Sequence, residues 1–347
     1  MSLVLHVDGP RWRRHLKAAV AKEPGLVPVA KGNGYGFGLG RLARRAQWLG
    51  VDTLAVGTYA EVEAVAARFE GSILVLTPWR DFLHPAYDDR VIHTVSRLSD
   101  LELVAAQQSH RPRIVVERAT SMLRHGMSAA QLRGAAKVLA AHPDVRLEGV
   151  ALHLPLAQVS HLAEVDRLMT DVVAAGLPTS TIFVSHLSAS ELATLRTSFP
   201  EFAFRPRIGT DLWLGDRAAL RPTATVLDAH PVERGDIYGY RGRHAPAAGT
   251  ILVVSGGTSH GIGLVAPASG SSLRNRASSV VRGGLDAMGL VRSPYTIDGK
   301  QRLFAEPPHM QASMLFLPSG SRVPAIGDEV DVQVRFTTTA FDRVDVT

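Results

Sequence analysis

Between residues 26 and 208 of this 347-residue chain, eight short β-branched or aliphatic runs alternate with helical patterns, and no other feature narrows the fold as far. The runs occupy 26–30, 53–56, 73–76, 91–94, 113–116, 149–152, 181–184 and 205–208. Between the first three, segments 39–49 and 60–69 carry apolar residues at spacings of three and four, as a helix packed on one face requires. Such alternation is the mark of βα units around a parallel sheet. Eight units in one span predict an α/β fold, a closed (β/α)8 barrel of the TIM type, whose chemistry gathers where strands end and loops begin.

A chain of this length exceeds what one core usually organises, and its texture changes beyond Gly215 to proline, glycine and alternating strand patterns at 224–227, 250–254 and 330–336. A barrel over 8–217 and a mainly β domain over 218–347 are therefore expected. The run 3–7 precedes a helix from Pro10 instead of opening the barrel series, which makes it a candidate partner of the second domain. Segment 267–282, rich in serine and arginine, reads as a long loop. Hydrophobic content of 46% supplies enough apolar surface for sizeable cores and excludes a disordered chain.

Other classes fall away on charge and composition. The formal net charge is +6, but the excess is arginine scattered over helices and loops without aromatic interleaving, so solvated side chains account for it and no nucleic-acid partner is expected. Small anionic ligands remain compatible. The absence of cysteine removes disulfides, thiolate metal sites and a catalytic thiol, and no metal is among the expected cofactors. No run approaches the roughly 20 apolar residues that span a bilayer, and Asp8, Arg11, Arg13 and Arg14 follow the first strand with no signal-peptide core, so a cytoplasmic address and no membrane partner are expected.

One lysine, Lys31, ends the first barrel strand and is followed by glycines at 32, 34, 36 and 38. A desolvated amine near other cations is nucleophilic and can form a Schiff base with a carbonyl, while glycines let backbone approach a bulky ligand. A lysine snorkelling above a glycine-rich turn fits the same pattern, and the neighbours decide between them.

The run Val29-Ala30-Lys31-Gly32-Asn33-Gly34-Tyr35-Gly36 resembles the cofactor-lysine motif of alanine racemases, the fold type III pyridoxal phosphate enzymes. Further pieces arrive in the family's order: Met122-Leu123-Arg124-His125-Gly126, Leu152-His153, His186-Leu187-Ser188-Ala189-Ser190, and Arg205-Pro206-Arg207-Ile208-Gly209-Thr210. The resemblance implies Lys31 as Schiff-base lysine of pyridoxal 5'-phosphate, with Tyr35, Ser190 and the backbone near Gly209 and Thr210 holding the phosphate. Ser190 also reads as the N-cap of a helix from Glu191. Arg207 would face the pyridine nitrogen, where a permanent guanidinium charge disfavours ring protonation, and His153 would hydrogen-bond Arg207 and hold it. Arg124 would reach the phenolic oxygen or the substrate carboxylate, and Glu117 would stand where many members have a carbamylated lysine. A solvent-exposed Glu117 is the plain alternative.

Racemisation in this family uses two bases on opposite faces of Cα, the second a tyrosine from the partner subunit's β-domain. Its loop corresponds to 251–261 here, and Thr258 falls at the tyrosine position. A threonine hydroxyl is too weakly acidic to exchange protons near pH 7, which makes His260 the nearest chemical substitute; a histidine that only packs or hydrogen-bonds is the other reading. The family's cysteine-methionine-aspartate run, which meets the substrate carboxylate, looks like His309-Met310-Gln311, so Met310 survives as a substrate contact and the aspartate does not. Phe336 lies near the place of a C-terminal tyrosine that seals the phosphate, and Tyr238, Tyr240 and Tyr295 are available elsewhere in the β-domain.

The expectation is a homodimeric amino-acid racemase for alanine or another small amino acid, with shared active sites. Another α-carbon reaction such as decarboxylation would tolerate the missing tyrosine, although the related decarboxylases generally employ a cysteine. A silent or regulatory cofactor-binding relative is the third reading. The loop 256–261 separates them.

Overall fold

The computed structural model describes residues 2–83, 88–106, 111–156, 160–264 and 291–347. The segment 267–282 lies outside the described residues. By internal contacts the chain divides into a unit of Arg13–Gly34 and Gly38–Gly215 and a unit of Met1–Trp12, Tyr35–Phe37 and Asp216–Thr347.

After β1 (Leu3–Val7), which belongs to the second unit, the first unit holds eight parallel strands. They are β2 (Val27–Pro28), β3 (Thr53–Val56), β4 (Ser72–Val75), β5 (Val91–Val95), β6 (Arg113–Arg118), β7 (Arg146–Leu152), β8 (Thr181–Val184) and β9 (Ala203–Ile208), in the order β2-β9-β8-β7-β6-β5-β4-β3. A parallel bridge between Val29 and Ala55 closes the ring, with Ala30 N–H donating to the Ala55 carbonyl at 2.8 Å. The eight runs of the sequence are thus the eight staves of the barrel. The helices are α1 (Gly9–Lys22), α2 (Leu39–Leu49), α3 (Val62–Ala66), α4 (Leu98–Ala106), α5 (Ala129–Ala141), α6 (Leu162–Ala175), α7 (Ala189–Ser198) and α8 (Thr210–Leu214). The stretch expected to be helical over 60–69 is a 3-10 turn, Tyr59–Glu61, running into the short α3. Among the described residues no helix is long and apolar enough to cross a membrane.

The period-two alternation of strand side chains sorts this unit into an inner and an outer core. Inside, Val27, Val29, Ala55, Leu74, Ile92, Val115, Ala151 and Phe183 form one cluster. Their neighbours Ile114, Val116, Val150, Leu152, Ile182 and Val184 face outward and join Leu132, Leu139, Val165 and Leu168 of the helices. Each fully buried aliphatic side chain contributes about 1.5–3 kcal/mol, so the double layer is the main source of stability.

In the second unit, β10 (Leu220–Val232), β13 (Gly249–Ser255), β14 (Arg292–Ile297), β15 (Lys300–Phe304), β16 (Ala312–Pro318), β17 (Glu329–Val332) and β18 (Arg343–Val346) form one sheet with β1, while β11 (Ile237–Tyr238) and β12 (Arg243–His244) pair separately. β1 lies antiparallel to β10 and parallel to β18, which is why the first residues of the chain group with the last. The strand expected over 330–336 stops at Val332, and the N–H groups of Thr338 and Thr339 turn back onto the Arg335 carbonyl. Leu3, Val226, Leu252, Tyr295, Phe304 and Leu315 share its core.

Gly149 shows how tightly the barrel interior is filled. A Cβ there would lie 2.8 Å from both Phe183 Cε2 and the Thr181 carbonyl oxygen, and the backbone oxygen cannot step aside. Gly149→Ala is therefore expected to lower unfolding free energy by about 1–3 kcal/mol, measured by urea denaturation at unchanged m-value.

Candidate active site at the barrel mouth

The loop after β2 is shaped by a succession of left-handed residues, with φ of 59° at Gly32, 62° at Gly34, 54° at Tyr35, 85° at Gly36 and 80° at Gly38. Glycine is required most plainly at 34, where a Cβ would come within 2.7 Å of the Leu39 backbone nitrogen. Gly34 N–H donates to the Lys31 carbonyl at 3.1 Å, and Glu61 accepts from Gly32 N–H at 2.8 Å and Gly57 N–H at 2.6 Å, which ties this loop to the one after β3. Lys31 is held by its backbone, and the residue as a whole keeps access to solvent although its amine is partly desolvated. Burial lowers its amine pKa from the ordinary lysine value, Arg124 and Arg207 lower it further, and Glu61 opposes them.

Across the mouth, Glu117 near the end of β6 is buried rather than solvent-exposed. Burial raises its carboxyl pKa, and the guanidinium charges of Arg207, Arg124 and Arg80 pull it back down. Arg207, near the end of β9, is also buried, and burial takes its guanidinium down to about 10 against the pull of Glu117, so it stays charged at neutral pH. One Arg207 nitrogen, Nη2, donates to the Leu152 carbonyl at 3.2 Å, whereas its Nε has no hydrogen-bond partner among the described residues. The Glu117 Oε2 likewise has none. Arg124 rides on an excursion closed by Ala119 N–H to the Met127 carbonyl at 3.0 Å and Met127 N–H to the Glu117 carbonyl at 2.7 Å.

His153, after β7, does not hydrogen-bond Arg207. Its Nδ1 meets the Ser185 hydroxyl at 2.9 Å, while Thr120 donates to its carbonyl at 2.6 Å. Ser185 follows β8 directly and sits beside β7 in the ring, so it reaches the imidazole first. Burial, then Arg207 and Arg124, push the His153 pKa down to about 3, and the same causes, burial and then Arg207, lower that of His186, which holds a strained φ of 60°. The N-cap of α7 is Ser188 rather than Ser190: Ser188 Oγ accepts from Glu191 N–H, and the Glu191 carboxylate accepts from Ser188 N–H. This is the reciprocal capping box, and the Ser188-x-x-Glu191 spacing was there to be read. Ser190 is exposed beside it. Gly209 stands at the N-cap position of α8, Thr210 opens that helix, and Trp213 Nε1 fixes it to β2's extension by donating to the Val29 carbonyl at 2.8 Å. Lys31, Glu117, Arg124, His153 and Arg207 are thus brought into one electrostatic neighbourhood.

The remaining candidates lie in the second unit, to which Tyr35 also belongs by its contacts. His260 Nδ1 accepts from Gly257 N–H at 3.2 Å, which places the ring proton on Nε2, and that nitrogen meets Asp342 Oδ1 at 3.1 Å. Both nitrogens of the expected second base are engaged. Thr258 N–H donates to the His309 carbonyl at 2.8 Å and Ser259 N–H to the Met310 carbonyl at 2.9 Å, so the Thr258 loop docks on the segment that carries Met310, whose side chain is exposed. Tyr295 is wholly buried beneath this loop, its hydroxyl 2.9 Å from the carbonyls of Ser255 and Gly256. Tyr238 donates to the Ala305 carbonyl at 3.1 Å, Phe336 is buried, and Tyr240 is 87% exposed.

The alanine racemase N-terminal domain matches residues 11–215, more than half of the chain. The chain belongs to the alanine racemase family. An alanine racemase of Sorangium cellulosum is 25% identical over 286 residues, 76% of this chain and 73% of that one. The enzyme of Mycolicibacterium vanbaalenii is 28% identical over 248 residues, 62% and 60% of the two. In fold, the alanine racemase of Bartonella henselae with covalently bound pyridoxal phosphate superimposes with a TM-score of 0.74 at 16% identity over the whole of both chains. That of Bacillus anthracis with bound L-Ala-P gives 0.73 at 21% identity over 96% of this chain and 86% of that one. As a member of this family the chain is divergent.

Reading the sequence did not find Glu61, Ser185 or Arg80, which bonds Asp100 at 2.8 Å beside Glu117's field. Only Glu61 had a local signal, the Thr58-x-x-Glu61 capping spacing. The buried imidazoles set a pH dependence. His153 and His93, the latter pushed down by burial to about 4, stay neutral in the fold while the unfolded chain binds protons below about 6.5. Stability is therefore full above pH 6.5 and declines as pH falls toward 3, and His153→Asn is expected to flatten part of that slope in denaturant midpoints taken across the range.

Proposed function

We propose that this chain binds pyridoxal phosphate through Lys31 at the barrel mouth and exchanges the α-proton of a small amino acid, as a divergent racemase acting as a cytoplasmic homodimer. The observation that carries the reading is Arg207, a buried, charged guanidinium whose Nε has a hydrogen to donate and no acceptor among the described residues. A buried donor left unpaired is destabilising by about 1–3 kcal/mol, and an aromatic ring nitrogen is the acceptor that would satisfy it. The residues present therefore fit the cofactor. Membership of the family and the covalent pyridoxal phosphate of the Bartonella henselae enzyme support the same choice.

In this reading Lys31 holds the cofactor's carbonyl carbon, Arg207 the ring nitrogen, and Tyr35, Ser190 and the backbone at Gly209 and Thr210 the phosphate. When bound, the group supplies an electron sink for the pair left on Cα after deprotonation. Everything else is the chain's own work. The lowered pKa of Lys31 enlarges its neutral fraction near pH 7, which suits an amine that takes a proton from one face of Cα and returns it. Arg207 would disfavour protonation of the ring nitrogen, a role that suits simple proton return at Cα. Glu117 balances the positive field of Arg207, Arg124 and Arg80, so that Arg124 remains free to orient a carboxylate or phenolic oxygen. Met310 is a further substrate contact in this reading. His260 holds its own loop together and serves there rather than as a base.

Two measurements test this. The wild type mixed with pyridoxal phosphate is expected to show the visible absorbance of the lysine-bound cofactor and to incorporate deuterium at Cα of alanine in D₂O. Lys31→Ala is expected to lose the band and to lower exchange by about 10²–10⁴-fold. Persistence of the band in that variant would remove Lys31 from the site, and a wild type with the band but no exchange with any small amino acid would leave a cofactor-binding relative.

A further inference from the structure

The racemase reading leaves the face of Cα opposite Lys31 without a base, since Thr258 carries no usable proton near neutral pH and both nitrogens of His260 are engaged. Thr258 and Met310 nevertheless line a common groove of about 740 Å³ in the second unit. The same groove is lined by Tyr240, Arg241, Glu306 and His309.

His309 is oriented as a general base. Its Nε2 lies 2.6 Å from Oε1 of Glu306, a carboxylate that is almost wholly buried with a side-chain exposure of 3%. A carboxylate only accepts, so Nε2 carries the ring proton and the Nδ1 lone pair is free; among the described residues Nδ1 has no hydrogen-bond partner. The imidazole itself is 28% exposed, buried enough to be held and open enough to be reached. Its backbone is fixed on both sides, by His309 N–H to the Ala312 carbonyl at 2.9 Å and by Thr258 N–H to the His309 carbonyl at 2.8 Å. Glu306 is fixed in turn by Tyr240 N–H at 3.1 Å, in a place kept clear by Gly239, whose Cβ would meet the carboxylate. The Tyr240 ring leans on the imidazole at 4.6 Å between centroids.

We propose that His309, oriented by Glu306, is the acid–base group for the Cα face opposite Lys31, offered by the β unit of one copy to the substrate held on the barrel of a second. The proposal rests on the racemase reading above. In one direction the Cα proton would pass to His309 Nδ1 and Lys31, as an ammonium, would return a proton to the other face, with the cofactor, when bound, supplying the sink for the electron pair left on Cα. His309 is then an imidazolium stabilised by the Glu306 carboxylate, and Lys31 is a neutral amine. The reverse direction restores both, with no other reactant. An imidazole suits proton exchange near pH 7 better than a phenol does.

The test uses full-length protein loaded with pyridoxal phosphate and follows deuterium entry into L- and D-alanine separately. The wild type is expected to label both enantiomers. His309→Gln is expected to lose labelling of one enantiomer by about 10²–10⁴-fold while the cofactor band and labelling of the other persist. Glu306→Gln should weaken the same enantiomer's reaction and move the acidic limb of its pH profile, where the base His309 becomes protonated. Independently of activity, long-range ¹H–¹⁵N spectra of the cofactor-free protein should show His309 as the Nε2–H tautomer, and Glu306→Gln should abolish that preference. One-sided loss in Tyr240→Phe instead of His309→Gln, equal loss on both enantiomers in His309→Gln, or a His309 proton on Nδ1 would each overturn the role. Absence of exchange by the wild type would overturn the racemase reading and the role with it; exchange that His309→Gln leaves intact would overturn the role alone.

Discussion

A parallel sheet exposes unpaired N–H and C=O groups along both edges unless it closes, and here closure depends on very little backbone. β2 is only two residues long and its second is Pro28, which has no N–H to give. The stitching passes to the next two residues: Val29 N–H donates to the Ile208 carbonyl at 2.9 Å on one side and Ala30 N–H to the Ala55 carbonyl at 2.8 Å on the other. The following residue is Lys31. The same bonds that close the barrel therefore fix the lysine's starting point, and Glu61 holds the loop that leaves it. Barrel closure and the placement of Lys31 share one short stretch of chain.

Closure also forces charges together. The ends of β2, β6, β7 and β9 converge on one rim, so Lys31, Glu117, His153 and Arg207 meet although nearly 180 residues separate the first from the last. Three arginines and a lysine around one rim would repel each other in the absence of a counter-charge. Glu117 supplies it from a buried position, and the histidines adapt by staying neutral. Arg207 carries a larger burden, a buried charge with an unpaired donor, which fits a position kept for a ligand rather than for stability.

In the β unit the loop 256–261 is braced from beneath by Tyr295 and from the side by the segment carrying His309 and Met310. His260 and Asp342 lock its far end, with Asp342 Oδ2 also taking Leu3 N–H at 2.8 Å. A loop so held keeps Thr258 in place at the wall of the groove beside it.

The sequence by itself determined the barrel, because period-two alternation of apolar residues and period-3.6 helices between them are local patterns that need no partner to be seen. It also singled out Lys31, because a lysine at a strand end amid glycines is conspicuous in one dimension. Local chemistry could mislead within a few residues, as where Ser190 was read as the cap that Ser188 makes with Glu191. What only the tertiary structure decided was which polar atoms meet. Glu117 is buried instead of exposed, His153 turns to Ser185 instead of Arg207, His260 is spent on Asp342, and His309 is turned by Glu306 to leave one nitrogen open. Side-chain direction and burial depend on neighbours that arrive from distant segments once the sheets form. Residue type limits which chemistry is available, and three-dimensional contact selects which atom performs it.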